Sequence, residues 1–371
     1  MTALPVREDL AGLSPYGAPQ DEVPVRLNVN ENPYAPSDAV VADIAQSVAK
    51  AARTLNRYPD RDFMELRAAL ADYLAKESGV RRDPELVWAA NGSNEVMTQI
   101  LQAFGGPGRT VVSFAPTYSM YHEYARDTNT RWVQGARTDD FALDLDLVEA
   151  TLKAERPSVL LLASPNNPTG TALPVDQQKR ILRIAATTGP EIRGETASTL
   201  VVIDEAYGEF RRAGTPSAME LLEDNPHLVV SRTMSKAFGM AGLRLGYMTA
   251  AREVVDAVML VRLPYHLSAL TQAAALAALR HKDELMAQVA SLRDERDSLV
   301  AHLRAEGFEA VDSDANFVLF GRFEDRDAIF RALFERGILI RVVGPEGWLR
   351  VSVGTPEETR AFTTALKEIT A

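Results

Sequence analysis

The sequence predicts an α/β protein: a mainly parallel, wound sheet followed by a smaller α+β unit. Two observations carry the prediction. Short β-branched or leucine-rich runs at residues 110–114, 159–162 and 200–203 alternate with segments of helical period. Polar turn motifs then follow the carboxyl ends of such runs, where wound sheets bind their ligands.

Residues 1–35 are rich in proline and asparagine without a sustained period, and read as an extended arm. From Asp38 the apolar positions Val41, Ile44, Ala45, Val48 and Ala49 recur at helical spacing. A second helix over 63–76 follows the turn Arg57-Tyr58-Pro59-Asp60. Residues 86–90 form a strand, 91–95 a tight turn and 96–104 a helix. A strand over 110–114 and a helix over 117–125 come next. The strand at 159–162 enters the loop Ser164-Pro-Asn-Asn-Pro-Thr-Gly170. A helix over 175–186 leads to the strand 200–203, which ends on Asp204-Glu-Ala-Tyr207, and residues 187–198 read as a loop insertion. Beyond Pro264, helices at 269–280, 284–304 and 326–335 interleave with strands at 317–320, 338–341 and 349–353. The division is an arm at 1–35, a large domain at 36–265 and a small domain at 266–371.

Of 371 residues, 46% are hydrophobic and 25% charged, with a formal charge of -11. Such an acidic chain suits neither nucleic acid nor an anionic membrane. An anionic substrate would therefore need a local basic pocket. The absence of cysteine removes disulfides and thiolate metal sites, and fits a reducing compartment. His122, His227, His266, His281 and His302 are scattered without i,i+4 pairing, so no metal is expected. Residues 1–10 carry Glu8 and Asp9 and no apolar signal core, and no run approaches the ~18 apolar residues of a membrane span. The expectation is a cytoplasmic protein.

The residues that suggest chemistry begin with Lys236. An apolar run at 228–230 leads into Ser231, Thr233, Ser235 and Lys236, and Arg244 follows between Gly242 and Gly246. Hydroxyls, backbone amides and an arginine around one lysine suit a phosphate carrying an aldehyde, as in pyridoxal 5'-phosphate (PLP). Alone, a Ser-Lys pair is usually a surface feature, Asn-Pro and Thr-Gly are common turns, and Asp204 could cap the next helix.

In combination, Pro165-Asn-Asn-Pro-Thr-Gly170, Asp204-Glu-Ala-Tyr207, Ser235-Lys236 and Gly242-Leu-Arg-Leu-Gly246 resemble the fold-type I PLP-dependent aminotransferases, the class of aspartate aminotransferase. The resemblance runs from about residue 25 to the C-terminus. It implies a large domain with a mainly parallel seven-stranded sheet and a smaller α+β domain. It also implies Lys236 as the Schiff-base lysine, Asp204 on the pyridinium, and Asn167 and Tyr207 on the 3'-oxygen. Tyr118 would stack on the ring. Ser93, Asn94, Thr233, Ser235 and Arg244 would cradle the phosphate, with Tyr58 reaching across a homodimer interface to the same group.

Further segments look like the histidinol-phosphate aminotransferases: Leu13-Ser-Pro-Tyr-Gly17, Asn28-Val-Asn-Glu-Asn-Pro33, Leu263-Pro-Tyr-His-Leu-Ser268 and Asn316-Phe-Val-Leu. This implies amino transfer between glutamate/2-oxoglutarate and imidazole acetol phosphate/histidinol phosphate in histidine biosynthesis. One arginine set can serve both partners, because a guanidinium fork matches phosphate and carboxylate alike. Arg350 and Arg341 match that set, with Tyr16, Asn316 and Asn32 expected around the same anion. The competing readings are an aminotransferase for phenylalanine and tyrosine, a PLP-dependent decarboxylase of a phosphorylated amino acid, and a PLP-binding regulator. Against the regulator, the chain keeps its lysine and has no appended DNA-binding domain.

Overall fold

The computed structural model describes residues 4–370. Its centre is a seven-stranded sheet built from β1 (Val87–Ala90), β2 (Thr110–Ala115), β3 (Arg131–Ala136), β4 (Val159–Ala163), β5 (Leu200–Asp204), β6 (Leu228–Thr233) and β7 (Gly246–Thr249), in the order β1-β7-β6-β5-β4-β2-β3. Only β7 runs against its neighbours. Every residue of β4, β5 and β6 is buried, which explains why these strands read as unbroken apolar runs instead of alternating ones. Burying each Val or Leu side chain contributes ~1.5–3 kcal/mol, so this core holds the strand ends in place.

Helices α1 (Asp38–Ala52), α2 (Met64–Ser78), α3 (Ser93–Phe104), α4 (Met120–Asp127), α5 (Leu145–Glu155), α6 (Val175–Ala185) and α7 (Arg252–Val261) cover the large sheet. Ser37 caps α1 and Asp144 caps α5, each through its side chain. By contrast, α3 starts at Gly92 with no side-chain cap, so its first amides remain available to another partner.

Helix α8 (Ala269–Arg280) packs against α1 and α2, and its Ala275, Ala278 and Leu279 belong to the large core. Helix α9 (Lys282–Ala305) begins there with Leu285 and ends in the small core with Leu299, Val300 and Leu303. A division at residue 266 therefore falls earlier than the packing does. The small unit contains α10 (Arg326–Glu335), α11 (Pro356–Thr370) and an antiparallel sheet. The strands of that sheet are β8 (Glu309–Ala310), β9 (Phe317–Gly321), β10 (Arg341–Val342) and β11 (Leu349–Ser352), ordered β8-β9-β11-β10.

The arm joins this unit: Val25–Arg26 pairs in parallel with Ile338–Leu339, and Leu27 enters the small core. The single strand expected over 338–341 is thus two pieces serving different sheets. Edge strand β3, strand β7, and helices α5, α7 and α11 lay outside the sequence reading. β3 is largely exposed or half-buried and lacks an apolar run. The insertion at 187–198 contains a small hairpin, Glu191–Ile192 with Glu195–Thr196.

Candidate active site

A cavity of about 330 Å³ opens beyond the carboxyl ends of β4, β5 and β6 and reaches the arm and β11. Lys236 follows β6 at its floor. Its amine donates to the Val29 carbonyl at 2.8 Å and has no carboxylate partner among the described residues. Burial, reinforced by the nearby Arg350 charge, lowers its pKa to about 8. At neutral pH an appreciable share of the amine is therefore unprotonated, as a carbonyl-seeking lysine requires.

Asp204, at the end of β5, is buried. Its carboxylate accepts from Ser231 Oγ at 3.0 Å, Tyr121 Oη at 3.1 Å and the Ala206 amide at 3.1 Å. Burial raises its pKa and those three donors oppose the rise. A cationic ring nitrogen nearby would hold it ionised. Tyr118 lines the same cavity and meets Tyr121 edge to face, with ring centroids 5.6 Å apart. Its flank is available for a flat ligand.

The opposite end of the cavity is cationic and rich in donors. Ser93 and Asn94 open α3 there, and Thr233, Ser235 and Arg244 line the same wall. Thr233 Oγ1 donates to Ser235 Oγ at 3.0 Å and Arg244 Nη1 approaches that hydroxyl at 3.5 Å. Gly92 has φ +83, and a Cβ there would come within 2.7 Å of Arg244 Nη2. A Cβ on Gly246 would lie 2.0 Å from the Ser93 nitrogen. Both positions therefore exclude a side chain. The uncapped helix terminus, its dipole and the guanidinium converge on a seat for a phosphate.

The third wall holds Arg350 and Arg341. Arg350 donates to Asn167 Oδ1 at 2.5 Å and to the Asn28 carbonyl at 2.8 Å, while its buried Nε has no partner. Burial lowers its pKa to about 10, which still leaves it charged at neutral pH. Arg341 sits directly opposite it in the β10–β11 ladder. Like charges facing each other across strands oppose folding unless an anion lies between them. The register thus leaves two cations on one wall, an arrangement that suits an anion. Because Arg350 occupies Asn167 Oδ1, the Asn167 amide is turned so that its Nδ2 is left to donate. Tyr16 closes the mouth of the cavity, with its hydroxyl accepting from Ser119 Oγ at 3.2 Å.

Not every expected residue reaches the cavity. Asn32 is turned away, donating to the Ala237 carbonyl and Gln288 Oε1, each at 3.3 Å. The cause is Asn30, whose φ of +56 breaks the extended alternation that would have put residues 28, 30 and 32 on one face. Asn316 braces the arm by donating to the Asn30 carbonyl at 3.1 Å, and does not line the cavity. Tyr58 is 79% exposed and stacked on Tyr265 at 4.4 Å, outside the cavity of its own chain. The sequence reading assigned no role to Asn28, Asn30 or Tyr121 and counted Ser231 only among the hydroxyls near the lysine; all four touch residues of the site.

Comparison with known proteins agrees with this arrangement. Residues 22–366 match the model of aminotransferase class I and II. The chain belongs to the class I and II aminotransferases. Within that family it is 59% identical to histidinol-phosphate aminotransferase of Thermobifida fusca, over 98% of this chain and 95% of the relative. It is 55% identical to the Bifidobacterium longum enzyme of the same name, over 99% and 96%. Among solved structures it resembles histidinol-phosphate aminotransferase from Sinorhizobium meliloti in complex with pyridoxal 5'-phosphate. That likeness has a TM-score of 0.80 and 27% identity, covering 94% of this aminotransferase and 91% of that chain.

PLP is the cofactor of the family, and the residues here fit it. Lys236 would be the amine for its aldehyde, Asp204 the acid for its ring nitrogen, and Asn167 and Tyr207 the donors for its ring oxygen. The turn at Gly92 with Arg244 would provide for its phosphate. When bound, PLP supplies an electrophilic carbon for an amine and a ring that accepts the electrons released at the substrate Cα.

Proposed function

We propose that this aminotransferase moves the amino group between glutamate/2-oxoglutarate and histidinol phosphate/imidazole acetol phosphate. The carrying observation is the registered pair Arg341 and Arg350. Two guanidinium groups face one cavity, and neither forms an ion pair with an acid among the described residues. The fork of Arg350 suits a terminal phosphate in one half-reaction and a distal carboxylate in the other. High identity to histidinol-phosphate aminotransferases supports the same assignment.

In this reading Lys236 Nζ takes and returns the proton at the substrate Cα. Asp204 keeps the cofactor ring nitrogen protonated, Tyr118 covers the ring face, and Tyr16 screens the entrance. A homodimer completes the site, with Tyr58 of one subunit reaching the phosphate seat of the other. Leu55, Tyr58, Leu260, Leu263 and Tyr265 are all exposed large apolar side chains, as a subunit interface would require. No helix among the described residues is long and apolar enough to cross a membrane, in keeping with a cytoplasmic enzyme.

The deciding experiment mixes PLP-loaded enzyme separately with histidinol phosphate, phenylalanine, tyrosine and aspartate, and follows loss of the bound-cofactor absorption band. Histidinol phosphate should react fastest. A faster reaction with phenylalanine would replace this assignment with an aromatic aminotransferase. Sedimentation of the same preparation should give twice the chain mass, and a fully active monomer would refute the shared site.

A further inference from the structure

We propose that Asn30 is a positioning residue that fixes the direction of the Tyr207 hydroxyl proton, and through it the proton affinity of the cofactor–lysine centre. The inference rests on the cofactor reading above and deepens it. It concerns an arm residue at the cavity wall whose side-chain amide is turned to Ser352 and Tyr207.

The hydrogen bonds around Asn30 leave one consistent arrangement. Its backbone N–H donates to Ser352 Oγ at 2.9 Å. The Ser352 hydroxyl, accepting there, donates its own proton to Asn30 Oδ1 at 3.0 Å. With Oδ1 identified as the acceptor, the other end of the amide must be Nδ2, and it donates to Tyr207 Oη at 2.9 Å. The Asn30 carbonyl is occupied by Asn316 Nδ2. Asn30 is 1% exposed and holds a left-handed backbone at φ +56, which asparagine tolerates better than most residues. Four hydrogen bonds, two with Ser352 at the end of β11 and two with residues outside the strands, thus lock one amide orientation.

The consequence falls on Tyr207. A phenol has one proton, and an oxygen that accepts from Asn30 does not spend that proton on Asn30. The proton is left to point into the cavity, where Lys236 Nζ lies 6.0 Å from the Tyr207 ring centre. Accepting one hydrogen bond also polarises the hydroxyl and strengthens the bond it donates. Tyr207 is therefore a committed donor toward the cofactor's ring oxygen. Loss of the proton from the lysine nitrogen leaves that oxygen more negative. A committed donor consequently favours the deprotonated form and lowers the pH of the transition. The other charged or titratable groups facing this pair are Arg350, Asp204, Glu31, Arg244, Tyr16 and Tyr118.

The test is Asn30→Gly, which accepts the left-handed backbone, adds no charge and leaves those six groups in place. The readout is the pH midpoint of the absorption change of PLP-loaded protein without substrate, in the parent and in a Tyr207→Phe background. Asn30→Gly should raise the midpoint by about 0.5–1 unit, a three- to tenfold tighter hold on the proton. In the Tyr207→Phe background it should change nothing. An unchanged midpoint in the first case, or the same shift in both, overturns the proposal. If Asn30→Gly fails to retain PLP, Ser352→Ala is titrated instead. It unlocks the Asn30 amide, and an unchanged midpoint there is equally decisive. A parent protein with no Lys236-dependent band would instead sink the cofactor reading.

Discussion

Two clusters of buried charge lie within a few residues of each other, and they are built on opposite rules. Asp204 and Glu205 are consecutive at the end of β5, yet Asp204 faces the cavity and Glu205 faces a closed ionic network. In that network Arg232 meets Glu205 at 2.7 Å, Glu77 at 2.9 Å and Glu209 at 3.1 Å, while Arg211 meets Glu77 at 3.0 Å and Glu205 at 3.2 Å. Three acids surround two arginines, and Glu209 has its pKa raised, chiefly by burial. The cavity across the strand holds Lys236 and Arg350 with no acid bound to either. Charge in the closed network is matched by charge inside the chain, whereas the two cations of the cavity are held by carbonyls and an amide oxygen.

The comparison can be broken by removing one member from each side. The largest effect on turnover belongs to Lys236→Ala, which should reduce transamination on the order of 10⁴-fold and abolish the bound-cofactor band. Near-parental turnover would remove the central assignment. Next in size, Arg350→Ala should lower kcat/KM for both histidinol phosphate and glutamate about 10²- to 10³-fold, since a buried charge that meets the substrate anion is lost. Thermal stability of the unliganded protein should hold or rise, because the arginine opposite Arg341 is relieved. A loss for glutamate alone would argue against a shared anion site.

Arg232→Met should behave in reverse. It leaves Glu209 without a cation and Glu205 and Glu77 with Arg211 alone, and should cost about 3–5 kcal/mol of stability by denaturant titration. A stable Arg232→Met protein would erase the distinction between the two clusters.

The pH dependence of Lys236 sharpens the same contrast at smaller scale. Its folded pKa of about 8 lies below the ordinary lysine value of 10.5, so the unfolded chain binds the proton more tightly between those values. Stability of the cofactor-free protein should therefore rise with pH from about 8 to 10.5. Lys236→Met should be more stable than the parent at pH 7, with the advantage fading across that window. A flat difference between the two proteins would mean the lysine carries no burial cost. The smallest change is expected of Tyr16→Phe, which loses one half-exposed hydroxyl contact. About 1 kcal/mol, or a fivefold rise in KM, is the scale.

Much of the site was legible because its residues lie in short local motifs. Asn167, Asp204, Tyr207 and Lys236 stand at or just after the end of a buried parallel strand, which has one place to point, and Arg244 lies just before β7. The seat at Gly92 was legible for the same reason. Asn32 and Asn316 were misplaced because a motif shows which residues stand together, not which way each side chain turns. The left-handed backbone at Asn30 is supported by Ser352, more than three hundred residues away, and no local pattern encodes that. Elements such as β3 escaped because an exposed edge strand lacks the apolar run that betrays a buried one.

By itself the sequence determined the wound α/β core, the absence of cysteine chemistry, the acid balance that demands a local basic pocket, and the polar motifs beyond the strand ends. These follow from burial period and from short-range spacing, which a chain carries in its order alone. Only the tertiary structure decided that Arg341 faces Arg350, that Glu205 turns away from the site beside Asp204, and that Asn30 steers Tyr207. Each depends on the register and packing of segments distant along the chain, where one residue of slip reverses which side a group faces.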